Sequence, residues 1–202
     1  MNDFGFYLVI TNPVVGYAKC AEAAVRTGVK IVQLRMKRAA REDVLREACE
    51  MRRVTRGTGT LFIVNDDPSI AAEAEADGVH VGQGDMPPAE VRAKFPQLKV
   101  VGLSTHNLDQ VRASLVQPID YIGVGPVYAT PTKEIPDPTL GPEMAGRMIA
   151  ASRVPAVAIG GINAETLPAV LAAGARNFAV VRAVCQSPDP YSAIKSLMEQ
   201  HA

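Results

Sequence analysis

Ala24-Val-Arg-Thr-Gly-Val29 decides the fold, because the same kind of junction returns as Ala74-Glu-Ala-Asp-Gly-Val79 and as Leu171-Ala-Ala-Gly-Ala175. In each, a helix-forming stretch meets a glycine and an apolar residue follows at once, the signature of a helix stopped just before a strand. Working outward from the first junction, Tyr17, Ala21, Ala24 and Val25 keep helical spacing up to Gly28. On its other side, Val29–Arg35 is an apolar run too short for a helix and without strict polar alternation. Such a run reads as a strand buried on both faces.

Seven further runs repeat this type: Tyr7–Thr11, Leu61–Asp66, Gly78–Gly82, Leu98–Ser104, Ile119–Gly125, Pro155–Gly161 and Asn177–Ala183. The intervening segments read as helices. Between Glu42 and Arg56, the residues Val44, Ala48, Met51 and Thr55 form one stripe among charges. Pro68 follows Asp67, a capping residue, and Pro88 sits where a first-turn proline belongs. Asn107 and Asn163 are N-cap candidates, and Tyr191, Ile194, Leu197 and Met198 mark a last amphipathic helix. Alternating strands and helices imply parallel strands joined by right-handed crossovers. Eight such units in 202 residues predict an α/β protein, a single-domain (β/α)8 TIM barrel over 1–202 at the short end of that fold's range. A doubly wound open sheet is the alternative, disfavoured because no Gly-x-Gly-x-x-Gly follows the first strand.

Formal net charge is zero and no basic block is present, which argues against nucleic acid as a partner. No apolar run approaches a membrane span, and the start of the chain lacks a signal-like pattern. Cys20, Cys49 and Cys185 are odd in number and far apart, without metal-ligand spacing, which predicts a reduced, cytoplasmic protein. A homo-oligomer is compatible with the sequence, which carries no signal for or against one.

In a closed barrel, functional groups gather at the carboxyl ends of the strands. Those ends are polar here. Strand two closes with Gln33-Leu-Arg-Met-Lys37, and a period of two sends Gln33, Arg35 and Lys37 to one side. Strand three closes with Asn65-Asp66-Asp67, strand four runs into Gly82-Gln-Gly-Asp85, and strand five ends at Ser104-Thr-His106. Strand six leads through Gly125-Pro126 into a loop bearing Thr130, Pro131, Thr132 and Lys133. Strands seven and eight end at Gly160-Gly161 and Val181-Arg182. Singly, each has an ordinary reading: an exposed strand end, a Gly-Asp turn at Asp85, a helix cap at Asp67, a tight turn at Gly160-Gly161. Together they suggest two anionic subsites. Asp66 and Asp85 are the oxygen donors Mg2+ prefers when a diphosphate completes its shell. Arg35, Lys37 and Lys133 would neutralise that diphosphate, while Gly161 and the Val181-Arg182 backbone match a barrel's usual phosphate site. The combination points to transfer from a diphosphate ester to a phosphorylated acceptor.

These motifs, with Phe62-Ile-Val-Asn-Asp66, Asp77-Gly-Val-His-Val-Gly-Gln-Gly-Asp85, Gly102-Leu-Ser-Thr-His106, Gly125-Pro-Val-Tyr-Ala-Thr-Pro-Thr-Lys133 and Ala158-Ile-Gly-Gly-Ile162, make the chain resemble the thiamine-phosphate synthase (thiamine-phosphate pyrophosphorylase) family from about Tyr7 to the last helix. The resemblance implies a Mg2+-assisted transferase of thiamine biosynthesis. Such an enzyme condenses hydroxymethylpyrimidine diphosphate with hydroxyethylthiazole phosphate (or its carboxylate) and releases pyrophosphate through a dissociative mechanism. Carried over by position, Gln33, Leu34, Arg35, Met36, Lys37 and Asn65 would hold the pyrimidine diphosphate, and Asp66 and Asp85 the metal. Ser104 and Lys133 would contact the same substrate; Arg35, Lys37, Ser104 and Lys133 would be catalytic. Thr130, Pro131, Thr132, Gly161, Val181 and Arg182 would hold the thiazole phosphate. Two positions depart from the family pattern: Met36 stands where glutamate is usual and Arg182 where serine is frequent. A thiazole tautomerase on the same fold, using a histidine such as His106, is the nearest rival. A sugar-phosphate barrel enzyme and a non-catalytic thiazole-phosphate-binding barrel are more distant ones.

Overall fold

A computed structural model describes residues 3–132 and 138–200. Eight parallel strands close in sequence order, β1 (Phe6–Ile10), β2 (Ile31–Leu34), β3 (Leu61–Asn65), β4 (Gly78–Val81), β5 (Val100–Thr105), β6 (Tyr121–Val124), β7 (Ala156–Ile159) and β8 (Asn177–Val180), with β8 pairing back onto β1. Around them lie α1 (Tyr17–Thr27), α2 (Arg41–Thr55), α3 (Pro68–Glu73), α4 (Pro88–Lys94), α5 (Leu108–Ser114), α6 (Gly141–Ala151), α7 (Leu167–Ala172), the single-turn α8 (Arg182–Cys185) and α9 (Pro190–Glu199). The (β/α)8 reading holds. No helix among the described residues is long and apolar enough to cross a membrane.

Alternation along the strands separates two buried layers. Leu8, Ile10, Val32, Leu34, Phe62 and Val64 face outward into the main core beneath the helices, where Met51, Val91 and Leu167 meet them. Full burial of each such side chain favours folding by about 1.5–3 kcal/mol. The inward set is smaller: Tyr7, Val9, Ile31, Ile63, Val100, Tyr121, Val157 and Ala179 fill the barrel interior, with Phe4 packed against them.

At the end of the barrel away from the functional loops, the first N–H groups of the strands need acceptors, and short polar side chains supply them. Asp77, just before β4, accepts from the Phe62 N–H at 2.8 Å and from Arg52 of α2 at 3.0 Å. Asp120, just before β6, accepts from the Val101 N–H at 2.7 Å and also pairs with Arg92 of α4. Asn177 takes the Phe4 and Gly5 N–H groups.

One of the three junction readings changes, and so does one of the caps. Gly28 does end α1 in the left-handed conformation, and Gly174 follows α7 at φ 98°. Gly78, however, stops no helix: α3 ends at Glu73, and Glu75 takes the left-handed turn. Gly78 opens β4, where a Cβ would lie 2.0 Å from the Val100 carbonyl oxygen, so close strand approach is what requires it. Asp67 and Asn107 cap as expected. Asn163 caps a turn ahead of α7 instead, accepting from the Glu165 and Thr166 N–H groups, and Thr166 occupies the cap position of the helix.

Candidate active site

The carboxyl ends of the strands surround a cavity of about 550 Å3. From β2 come Gln33, Arg35 and Lys37, from β3 Asn65 and Asp66, from the turn after β4 Asp85, and from β5 Ser104. The loop after β6 adds Thr130, Pro131 and Thr132, β7 adds Gly161, and the β8–α8 turn adds Val181 and Arg182. Leu34 and Met36 do not join them. The same alternation that turns Gln33, Arg35 and Lys37 inward sends Leu34 into the outer core and packs Met36 against it. Their side chains therefore line no part of the cavity, which corrects their place among the substrate-binding side chains. Lys133 lies outside the described residues.

Asp66 is the electrostatic centre. Its backbone takes φ 67°, a left-handed conformation that aspartate tolerates better than most residues, and its N–H donates to the His80 carbonyl at 2.8 Å. Burial raises the Asp66 carboxyl above the usual carboxylate range. The Lys37 ammonium, which ion-pairs with it, pulls the other way, and the neighbouring Asp85 carboxyl adds to the rise. Burial also lowers the Arg35 guanidinium, with Asp66 opposing that shift. Asp85 is held by its own turn, its Oδ2 accepting from the Gly82 N–H at 2.7 Å.

Two close carboxylates from adjacent strand ends, one destabilised in its ionised form by the other, fit a hard divalent cation. Among the described residues no third carboxylate, histidine or cysteine completes a protein-only cage. That composition suits Mg2+, which keeps waters and takes substrate oxygens alongside one or two carboxylates.

The loop after β6 is tied to the end of β7. The Val127 N–H donates to the Ile159 carbonyl and the Tyr128 N–H to the Gly160 carbonyl, both at 2.9 Å. Glycine is needed on the β7 side, because a Cβ at Gly160 would sit 2.6 Å from Pro126 and one at Gly161 2.7 Å from the Tyr128 Cβ. Within the loop, Thr130 Oγ1 donates to Thr132 Oγ1 at 3.0 Å and accepts the Thr132 N–H at 3.3 Å. His106 Nδ1 donates to the Gly125 carbonyl at 2.6 Å, so this ring is anchored to the base of the loop.

Sequence reasoning passed over Tyr7, His80 and Tyr121, which also line the cavity. All three sit on inward strand positions within otherwise apolar runs, and strand alternation from Gln33 and Ser104 was the signal that leads to them.

The thiamine monophosphate synthase family profile matches residues 6–184. A thiamine-phosphate synthase of Synechocystis sp. is 41% identical over 202 residues, covering 99% of this chain and 58% of that protein. One from Laribacter hongkongensis is 37% identical over 201 residues, covering 98% of this chain and 95% of that protein. The chain thus spans little more than half the length of the cyanobacterial relatives and nearly all of the Laribacter one. A thiamine phosphate pyrophosphorylase from Pyrococcus furiosus superposes with a TM-score of 0.88 at 28% identity, covering 98% of this chain and 95% of that one.

Proposed function

Because the chain belongs to the thiamine monophosphate synthase family, we propose that it condenses hydroxymethylpyrimidine diphosphate with hydroxyethylthiazole phosphate, giving thiamine phosphate and pyrophosphate. The observation that carries this reading is the meeting of two differently equipped anion sites in one cavity. On one side stand the carboxylate pair Asp66 and Asp85 with the cations Arg35 and Lys37. On the other stand Thr130, Thr132, Gly161 and Arg182. A sugar-phosphate enzyme or a thiazole tautomerase needs only the second.

Arg35 and Lys37 have one task, to hold the diphosphate and stabilise the negative charge that grows on it as the carbon–oxygen bond breaks. Mg2+ held by Asp66 and Asp85 would supply Lewis-acid stabilisation of the same departing group. In the described structure Lys37 neutralises Asp66; a cation on Asp66 would leave the Lys37 ammonium available to the diphosphate. The hydroxyls of Thr130 and Thr132 and the Gly161 backbone hold the thiazole phosphate, so that the thiazole nitrogen is kept near the carbon it attacks. Lys133, next in the chain after Thr132, is assigned to the diphosphate. The aminopyrimidine ring delocalises the cation left behind, and no covalent bond to the protein is required.

The direct test is to incubate the protein with both substrates and Mg2+ and to measure thiamine phosphate and pyrophosphate. Formation of both in equal amounts is expected. Isomerisation of a thiazole substrate with no pyrophosphate released would instead support the tautomerase reading, in which His106 is the candidate base.

A further inference from the structure

Beneath the carboxylates runs a hydrogen-bonded chain whose inner members, Tyr7, Tyr121 and His80, have no part in the proposed chemistry. Gln33 Nε2 lies 2.7 Å from the Tyr7 hydroxyl, which lies 2.8 Å from the Tyr121 hydroxyl. Tyr121 is 3.0 Å from His80 Nδ1, and His80 Nε2 is 2.9 Å from Ser104 Oγ. The two phenols are fully buried and meet edge to face at 5.8 Å, and the His80 ring stacks on Tyr121 at 5.4 Å. The slot that admits the stack is cut by glycine: a Cβ at Gly102 would sit 2.2 Å from the Tyr121 Cζ and 2.5 Å from His80 Nδ1.

With Gln33 Nε2 as the donor to Tyr7, the chain runs in one direction. Burial holds both phenols far above their ordinary values, so each keeps one proton to donate. An amide nitrogen can only donate, so Tyr7 accepts from Gln33 and passes its own proton to Tyr121. Tyr121 then donates to His80 Nδ1, which places the imidazole proton on Nε2, and Nε2 donates to Ser104 Oγ. With the Gln33 amide in this orientation, reversing a link leaves a buried phenolic proton without an acceptor in the chain. With one lone pair of Ser104 committed to His80, the serine proton is left free to point into the cavity that Ser104 lines.

We propose that Tyr7, Tyr121 and His80 are positioning residues that lock Ser104 as a hydrogen-bond donor toward the bound pyrimidine, selecting a ring whose nitrogens carry no proton. This rests on the assignment of the pyrimidine diphosphate to this cavity. A 4-aminopyrimidine offers bare ring nitrogens. Its 4-oxo analogue carries a proton on one of them, which would face the Ser104 proton and lose the bond. A site built around a fixed donor rejects such a ligand far more strongly than a site built on shape.

Two measurements test this. The first needs no substrate: 15N NMR of labelled protein reads the tautomer of His80, identified by comparison with His80→Gln. An Nε2–H ring is expected, and an Nδ1–H ring would overturn the proposal whatever reaction the protein performs. The second compares the diphosphates of the natural aminopyrimidine and its 4-oxo analogue by kcat/KM. The wild type should prefer the natural substrate by about 100-fold or more. His80→Leu and Tyr121→Phe should reduce that preference by about 10-fold or more, through the KM for the pyrimidine and not that for the thiazole phosphate. His80→Gln, whose amide can still donate toward Ser104, should restore most of the preference. Unchanged selectivity in folded Leu and Phe variants would overturn the proposal. Failure of the wild type to turn over at all, with the Nε2–H tautomer present, would instead remove the pyrimidine assignment; the ring would then be sought among other acceptor heterocycles by calorimetry.

Discussion

Gly102→Ala is the smallest change that reaches the polar interior. The added methyl would sit 2.2 Å from the Tyr121 Cζ and 2.5 Å from both the Tyr121 oxygen and His80 Nδ1. Carbon atoms in contact stay about 3.5–4.0 Å apart, so one ring must retreat by about 1 Å or more. Neither has room. Tyr121 is fully buried with Phe4 and Tyr7 on its edges, and His80 is held at both nitrogens. Overpacking of this kind costs about 1–3 kcal/mol, and loss of a buried hydrogen bond adds about 1 kcal/mol for each one broken. For a protein of this size the sum corresponds to a fall in Tm of about 4–15 °C. Thermal unfolding followed by circular dichroism would read it, with Gly59→Ala as the control, since a Cβ there meets nothing within 4 Å. If the proposed reaction is the one performed, the folded variant should show a raised KM for the pyrimidine diphosphate, because Ser104 loses its anchor. A Tm within about 1 °C of the control, together with an unchanged KM, would refute the view that this slot is closed and its hydrogen bonds are tight.

Other outcomes follow from single groups. Asp66→Asn keeps a residue at ease at φ 67° but removes a carboxylate whose ionised form burial disfavours. The folded protein holds that proton more tightly than the unfolded chain. Wild-type stability contributed at this site is therefore greatest at acid pH and falls as pH rises from the unfolded carboxylate value through the raised folded one. Without metal, the Asn variant should unfold at a higher temperature than wild type at pH 7, with the gap closing near pH 3, while its turnover falls by about 100-fold or more. Arg182→Ala should raise the KM for the thiazole phosphate by about 10-fold, the loss of one charge-assisted contact, with a smaller effect on the pyrimidine; steady-state kinetics with each substrate varied in turn would show it. Asp77→Ala, at the opposite end of the barrel, leaves the Phe62 N–H and the half-buried Arg52 without their shared acceptor. Denaturant unfolding should report a loss of about 2–4 kcal/mol, with both KM values unchanged.

The eight strands could be read from the sequence because strands covered on both faces demand runs such as Leu61–Val64, which carry the pattern with little help from neighbours. Where meaning depends on what lies across the barrel, the sequence is less direct. Gly78 looks like a helix stop in one dimension and is a strand contact in three. Leu34 and Met36 sit inside a motif whose alternate residues face the cavity, so a contiguous reading overcounts them. Tyr7, His80 and Tyr121 went unnoticed since each alone suits an apolar run; only strand register shows His80 level with Gly102, and Gly102 level with Tyr121. The cavity-lining groups Arg35, Lys37, Asp66, Asp85, Ser104, Thr130 and Thr132 were legible because charged and hydroxyl residues at successive strand ends have few other places to go in this fold.

The stitching of the β6 loop onto the end of β7 has a practical consequence for anyone transplanting specificity between barrels. The Val127 and Tyr128 amides are bonded to Ile159 and Gly160, and the glycines at 160 and 161 are shaped to the other strand's loop. The two segments form one exchangeable cassette although about 30 residues and a whole helix separate them in the chain. A graft of residues 125–132 alone would meet a foreign β7 turn, whereas moving 125–132 together with 159–162 would carry its own template with it.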